Sequence, residues 1–463
     1  MTNTQLLSLA QWCLACEHRI VWQFWMSILL LFVFIIIGLR GNAEDPRKNY
    51  PESHKALLGL IPPPIPPAEN AAHVYRKAFA AVVAPASPTL ELDSNTSRES
   101  AYFEKPELLA YVDSLATYYS LLDDATAMPK CNWELNYEQG FAMTMPHHGS
   151  MRHAARLLAI RARLRAHGGD HAGAARDLKR IESMVVHMAD ERTLLNTLVR
   201  ISMQAIRNDV LQRIIFYDTP IDPRDIQAYR TPLNTHWTDD ALKTFDGEFT
   251  MQAEMLDRIG MQGDDNATLL KGWGVPQGAY LFLGLMYGSE RKTQRAFAQD
   301  VASSLHAGNT TLTDDEIYRR NLKGPSVLVY MTGASLSHAM TAFGRNADSQ
   351  ISADTALAIL LFRAKHARDP NSLDELVSEF FPSVPVDAFN KKPLTLLVET
   401  NELELDRRNN SPKQMLPAGT LRVYSWGKNG VDDLGVGYRS IIIREKQQTE
   451  CDDNAFFIPP MKK

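Results

Sequence analysis

SMRHAARLLAIRARLRAHGGDHAGAARDLKRIESMVVHM, residues 150–188, folds back on itself by its own punctuation. Ser150 has the side chain of a helix N-cap. Ala154, Leu157, Leu158, Ile160, Ala162 and Leu164 then recur at helical spacing until Gly168-Gly169 stops the run. Asp170 is placed to cap a return helix, in which Ala174, Ala175, Leu178, Ile181, Val185 and Met188 again recur at three and four. The segment predicts an antiparallel helical hairpin with small residues where its two helices approach.

Outward from this hairpin, residues 102–367 read as nearly all helix. Further helices are expected at roughly 192–216, 239–259, 291–305, 325–343 and 349–367, broken by Pro, Gly and Asp turns. The hairpin resembles a tetratricopeptide-type unit in its Gly-Gly-Asp turn and following alanines. It lacks that pattern's aromatic and proline positions, and no second copy follows at a period near 34 residues. Two apolar pieces, 278–288 and 324–343, do not qualify as bilayer spans: the first is too short, and the second, diluted by Ser326, Thr332, Ser335, Ser337, His338 and Thr341, reads as a buried helix.

One stretch does meet the requirement. Ile20–Leu39, IVWQFWMSILLLFVFIIIGL, carries no charge and is long enough as a helix to cross roughly 30 Å of hydrocarbon. His18 and Arg19 bound it on one side and Arg40 on the other, with Trp22 and Trp25 as interfacial aromatics. A cleaved signal peptide is the competing reading, with Gly41-Asn42-Ala43 as the cleavage site. The apolar run and the segment before it are both long for that role. The expectation is a single transmembrane helix with the lipid bilayer as partner. Arg40, Arg47 and Lys48 against Arg19 alone favour a cytoplasmic body by charge count, but long domains translocate largely regardless of such charges. After the span come a polar segment and Ile61-Pro62-Pro63-Pro64-Ile65-Pro66-Pro67, read as a semi-rigid polyproline spacer.

The composition is ordinary for globular protein: 463 residues, 45% hydrophobic and 22% charged. A net charge of −5 and no Lys/Arg run with interleaved aromatics argue against nucleic acid as a partner. Of the four cysteines, Cys13 and Cys16 lie on one turn of an amphipathic helix before the span and read as packing at the membrane surface. Cys131 and Cys451 lie beyond it and are a candidate disulfide in an oxidising compartment.

The last hundred residues change character. FFPSVPVDAFNKKPLTLLV is followed by LRVYSWGKNGVDDLGVG and finally CDDNAFFIPP. This order resembles the globular end of major pseudopilins of type II secretion, in which a helix leads through an Asp-Pro-Phe/Trp segment into strands and a Tyr-Ser-x-Gly-x-x-Gly loop. Over most of its length the chain also resembles uncharacterised membrane-anchored proteins of planctomycete-like bacteria. These join such an end to a helical body and carry an Asn-Ala-Ala-x-x-Tyr stretch after a proline-rich linker, matched here by Asn70-Ala71-Ala72-His73-Val74-Tyr75. The likeness implies a bacterial inner-membrane protein with an extracytoplasmic body. It also implies a calcium loop at Asn429, Asp432 and Asp433, with Asp452 or Asp453 as the later acid; such a loop offers the oxygen ligands that calcium takes. Ala388 replaces the usual proline after Asp387, and Leu434 stands where glycine is more typical. A solvated hairpin turn around Asn429-Gly430 is the competing reading. A fibre-subunit role fails on the residues, because no processing site precedes the span and about three hundred residues separate it from the end domain.

For an enzyme the candidate cluster is His147, His148, His153 and His187, with Asp190 nearby, which a helical hairpin could gather on a metal such as zinc. The spacing matches no known zinc signature, and His148 and His153 lie about 140° apart around a helix. Solvated or capping histidines are the simpler reading. Asp123-Asp124 and Asp264-Asp265 read as turn residues, and no Gly-x-Ser-x-Gly, phosphate loop or His-Glu-x-x-His occurs. The chain therefore reads as mainly α: an N-terminal segment 1–19, a membrane helix 20–39, a linker 40–67, a helical body 68–345 and a small α+β end 346–463. Its expected role is a protein-binding or scaffolding element, with a metal-dependent hydrolase as the alternative.

Overall fold

The computed structural model describes residues 45–81, 103–231, 237–261, 277–306, 327–406, 414–435, 441–442 and 453–461. Its helices are α1 (Pro46–Leu58), α2 (Ala71–Ala81), α3 (Pro106–Ser114), α4 (Ala116–Ala127), α5 (His147–His167), α6 (His171–Val186), α7 (Leu194–Tyr217), α8 (Pro223–Tyr229), α9 (Trp237–Gly260), α10 (Gln277–His306) and α11 (Val327–His366). Among the described residues six short strands follow: β1 (Thr395–Val398), β2 (Leu403–Asp406), β3 (Gln414–Leu416), β4 (Leu421–Ser425), β5 (Ile441–Ile442) and β6 (Asn454–Ile458). The protein is mainly helical, as expected. Among the described residues no helix is long and apolar enough to cross a membrane. The expected span 20–39 lies outside the described residues, as do Cys13, Cys16, Asp264 and Asp265.

The hairpin is α5 and α6, and its turn is closed by the residues its sequence singles out. Gly169 takes a φ of 84°, which costs a residue without a Cβ nothing, and Asp170 accepts a hydrogen bond from Gly173 N at 2.8 Å. Ala154, Leu157, Leu158 and Ala162 of α5 and Ala174, Leu178 and Ile181 of α6 are buried in one core. That core continues through Leu211 and Ile214 of α7 into Ala353, Leu357 and Ile359 of α11 and then into Leu421, Val423, Phe456 and Ile458 of the sheet.

The end segment is therefore not a separate body with a core of its own. The boundary expected at 345/346 falls inside α11, and the two helices expected at 325–343 and 349–367 are this one forty-residue helix. Its later half carries the sheet β1–β4–β6, antiparallel throughout, with Val423 opposite Leu396 on one side and Phe456 on the other. A second antiparallel sheet runs β3–β2–β5. Buried Asp348 on α11 fixes the docking by accepting from Ala388 N at 2.7 Å and Ser425 Oγ at 3.0 Å. Asp387 holds the loop beside it, accepting from Phe389 N, Asn390 N and Gly427 N. Burial pushes the Asp387 carboxyl up, and those N–H donors pull it back.

The expected linker 40–67 is folded onto the body from Asp45 onward. Asp45 caps α1 through Arg47 N at 3.0 Å, and Pro46 takes the first helical position, where a missing N–H costs nothing. α1 packs on α9, with Leu57 buried among Tyr137, Met143 and Met251, a burial worth about 1.5–3 kcal/mol. The prolines are held too, since Asn132 Nδ2 donates to Pro62 O and Pro63 O at 3.3 and 3.0 Å. The Asn-Ala-Ala-x-x-Tyr stretch has a structural task. Buried Asn70 pairs with the Asn132 backbone at 2.8 and 2.9 Å, Ala71 and Ala72 fill the core, and Tyr75 reaches His187.

Candidate functional site

His147 and His148 are the first two residues of α5, so their side chains leave the helix about 100° apart. Both nevertheless turn Nε2 to one carboxylate. Glu191 sits in the turn between α6 and α7, and its Oε1 lies 2.9 Å from His147 Nε2, its Oε2 3.3 Å from His148 Nε2. His147 Nε2 also lies 3.2 Å from Oε2, which takes the hydrogen bond from each ring. All three residues are buried, and the three ligand atoms lie within 4.8 Å of one another.

The surroundings fix this arrangement. Trp133 stacks on His147 with ring centres 4.1 Å apart and planes 13° from parallel. Its indole lies in a column with Tyr75 and Phe79, and the Arg76 guanidinium is 6.0 Å from its ring centre. The turn is pinned from within, because Asn196 Nδ2 donates to Met188 O at 2.6 Å and Glu191 O at 2.8 Å while Thr193 caps α7. It is pinned from outside by Gly247 of α9, where a Cβ would stand 1.9 Å from Arg192 O. Burial pushes the Glu191 carboxyl up, but the hydrogen bonds and charges of the two imidazoles outweigh it and hold the group below its ordinary range. Around the cluster, His148 Nδ1, Tyr137 Oη and Trp133 Nε1 are buried without a hydrogen-bond partner among the described residues.

Of the four histidines expected to converge, two do. His187 is a brace elsewhere: its Nε2 donates to Met128 O at 2.8 Å, which leaves Nδ1 to accept from Tyr75 Oη at 2.9 Å. Burial lowers its pKa, in keeping with a neutral ring of that tautomer. His153 is half-buried and outside the group, lowered by burial and by the Arg156 charge. Asp190 is exposed, and its neighbour Glu191 supplies the carboxylate. Asp123 belongs to an arginine network and Asp124 is exposed. Cys131 borders the same small cavity as Glu191 and Tyr137, as a buried free thiol pushed up to about 12 by burial and then by the Glu191 charge. Its expected partner Cys451 lies outside the described residues.

The expected calcium loop is largely tied to itself. Asp453 Oδ2 accepts from Asp433 N at 3.0 Å and Gly435 N at 2.7 Å, and Asp433 accepts from Asn429 Nδ2 at 2.9 Å. Asp432 accepts from Tyr424 Oη at 3.0 Å and Leu434 N at 2.9 Å. Leu434 takes a φ of 56°, the left-handed conformation that explains glycine at this position in similar loops. Asp452 lies outside the described residues. Asp453 is buried, and its carboxyl is pushed up to about 8, by burial first and by the Asp433 and Asp432 charges, against the pull of the two backbone donors. The folded protein thus holds this proton more tightly than the unfolded chain. The associated stability is complete below about pH 4 and is lost as the pH rises towards 8. Asp453→Asn, with no proton to lose, is expected to raise the thermal midpoint by a few degrees at about pH 8.5 and to change it little near pH 4. Calorimetry at both values checks this, and equal shifts would remove the titration as their cause.

Beside the histidine cluster lies a groove of about 780 Å³, between the 3₁₀ turn Tyr137–Ala142, the start of α7, α9 and α11. Met143, Met145 and Met251 line it, and Phe141, Leu195 and Leu198 at its edge are 39%, 55% and 39% exposed. Its acid is Glu248, which accepts from Leu194 N at 3.2 Å and is pushed up by burial. No protein-family model, no curated protein and no solved structure matches this chain.

Proposed function

We propose that this protein is a binding element of the bacterial cell envelope, held in the inner membrane by residues 20–39, whose extracytoplasmic body takes an apolar helical segment of a partner protein. The observation that carries the reading is the ring of exposed Phe141, Leu195 and Leu198 around a methionine-lined groove. Large apolar side chains left in water beside a concave surface mark a place where something else covers them. Leu195 and Leu198 stand three apart on the first two turns of α7 and present one edge, and flexible thioethers suit a groove that adapts to a helix laid along it. The loop at Asn429, Asp432, Asp433 and Asp453 enters the same reading as a calcium-tightened support for the sheet, favoured by the buried, unpartnered Oδ1 of Asp453.

A photo-crosslinking residue at position 195, activated in intact cells and read by mass spectrometry, tests the proposal. The expected product is a discrete partner protein joined through an apolar segment, lost when Leu198→Asp is added and absent when the probe replaces Val186, an exposed residue at the end of α6. Lipid adducts alone, or equal products from both positions, would overturn it.

A further inference from the structure

The groove does not use the buried histidine cluster beside it, and the cluster has a chemistry of its own. We propose that His147 Nε2, His148 Nε2 and the Glu191 carboxylate bind one divalent transition-metal ion of the zinc or ferrous class. Two imidazoles and one carboxylate are the donor types such ions take in three-ligand sites, whereas calcium and magnesium prefer all-oxygen sets. The spacing fits as well. A tetrahedral zinc ion with bonds of 2.0–2.1 Å needs ligand atoms about 3.3 Å apart; Glu191 Oε2 lies 3.2 Å from His147 Nε2 and 3.3 Å from His148 Nε2, and all three atoms are within 4.8 Å of one another.

Preorganisation is the second line of argument. The indole stacked on His147 and the Asn196 bonds that fix the turn carrying Glu191 hold two ligands in place without help from a metal. In such a frame, binding costs little reordering of the chain. Tyr137 Oη, buried and without a hydrogen-bond partner among the described residues, lines the same small cavity as Glu191.

The test uses the full-length protein in detergent, stripped with chelator and dialysed. Zinc chloride and, under anaerobic conditions, ferrous ion are titrated in separately, and bound metal is counted by plasma mass spectrometry beside a thermal scan. One equivalent of one of these ions and a rise in thermal midpoint are expected, with no rise from calcium or magnesium. Glu191→Gln, which preserves shape, is expected to weaken binding at least about tenfold, and His148→Ala to abolish stoichiometric binding. His153→Ala, on the same helix but outside the group, is expected to bind as the parent does. A folded parent that takes up neither ion, or a Glu191→Gln variant that binds as tightly as the parent, would overturn the proposal and leave a hydrogen-bonded triad only.

Discussion

Asp177→Ala is expected to destabilise the protein by about 3–5 kcal/mol, the cost of removing one partner from a buried ion cluster. Asp177 is fully buried on α6 and takes charge-assisted bonds from three arginines. Arg161 donates at 3.0 and 2.6 Å, Arg165 at 2.8 Å and Arg180 at 2.7 Å. Arg161 and Arg180 also share Asp123, each at 2.8 Å, and the Arg161 guanidinium lies 4.2 Å from the Tyr119 ring centre. Without Asp177, one half-buried carboxylate faces guanidinium groups that the hairpin holds together. The contrast is Lys130–Glu69, a 2.9 Å pair in which both side chains are 55% exposed; Lys130→Ala is expected to cost no more than about 1 kcal/mol. Urea denaturation of both variants decides between burial and mere pairing as the source of the energy, and similar midpoints would show that the three arginines escape to solvent.

Arg422→Met is the second large effect, again about 3–5 kcal/mol. Arg422 projects from β4 with its side chain almost wholly enclosed, pairs with buried Glu399, donates to Leu434 O and lies 5.8 Å from the Phe457 ring centre. Gly435 makes room for it, because a Cβ there would stand 2.3 Å from Arg422 Cδ. The single substitution strands the Glu399 charge in a space built for two. The double variant Arg422→Met/Glu399→Leu removes both charges and is expected to recover most of the loss, since well-packed apolar replacements of a buried pair are often neutral. Thermal unfolding of the set checks this; a double variant worse than the single one would mean that the pair contributes geometry that packing cannot replace.

The hairpin was legible because its information is local. Gly168-Gly169-Asp170 stops one helix and caps the next within three residues, and the alanines announce close approach. α1 was hidden by its prolines, which suggest extended chain, although Asp45-Pro46 is itself a helix-start signal. Two of the three residues proposed to bind the metal were legible as a pair of adjacent histidines. Glu191 was not, because it lies more than forty residues along the chain and meets them only when α5, α6 and α7 pack. Asp190 was named as the acid beside the histidines, but that its neighbour Glu191 is the one to face inward depends on Asn196 and Gly247. His153 fails to join for the reason its spacing implied, pointing away around the helix from His148.

α11 runs without a break from the groove, which Ala339 lines, to Asp348 and the sheet bound beyond it. An α-helix resists bending far more than two packed surfaces resist sliding. The wall of the groove and the support of the end sheet are thus one continuous element, and a proline placed in α11 between Ala339 and Asp348 would disturb both ends at once.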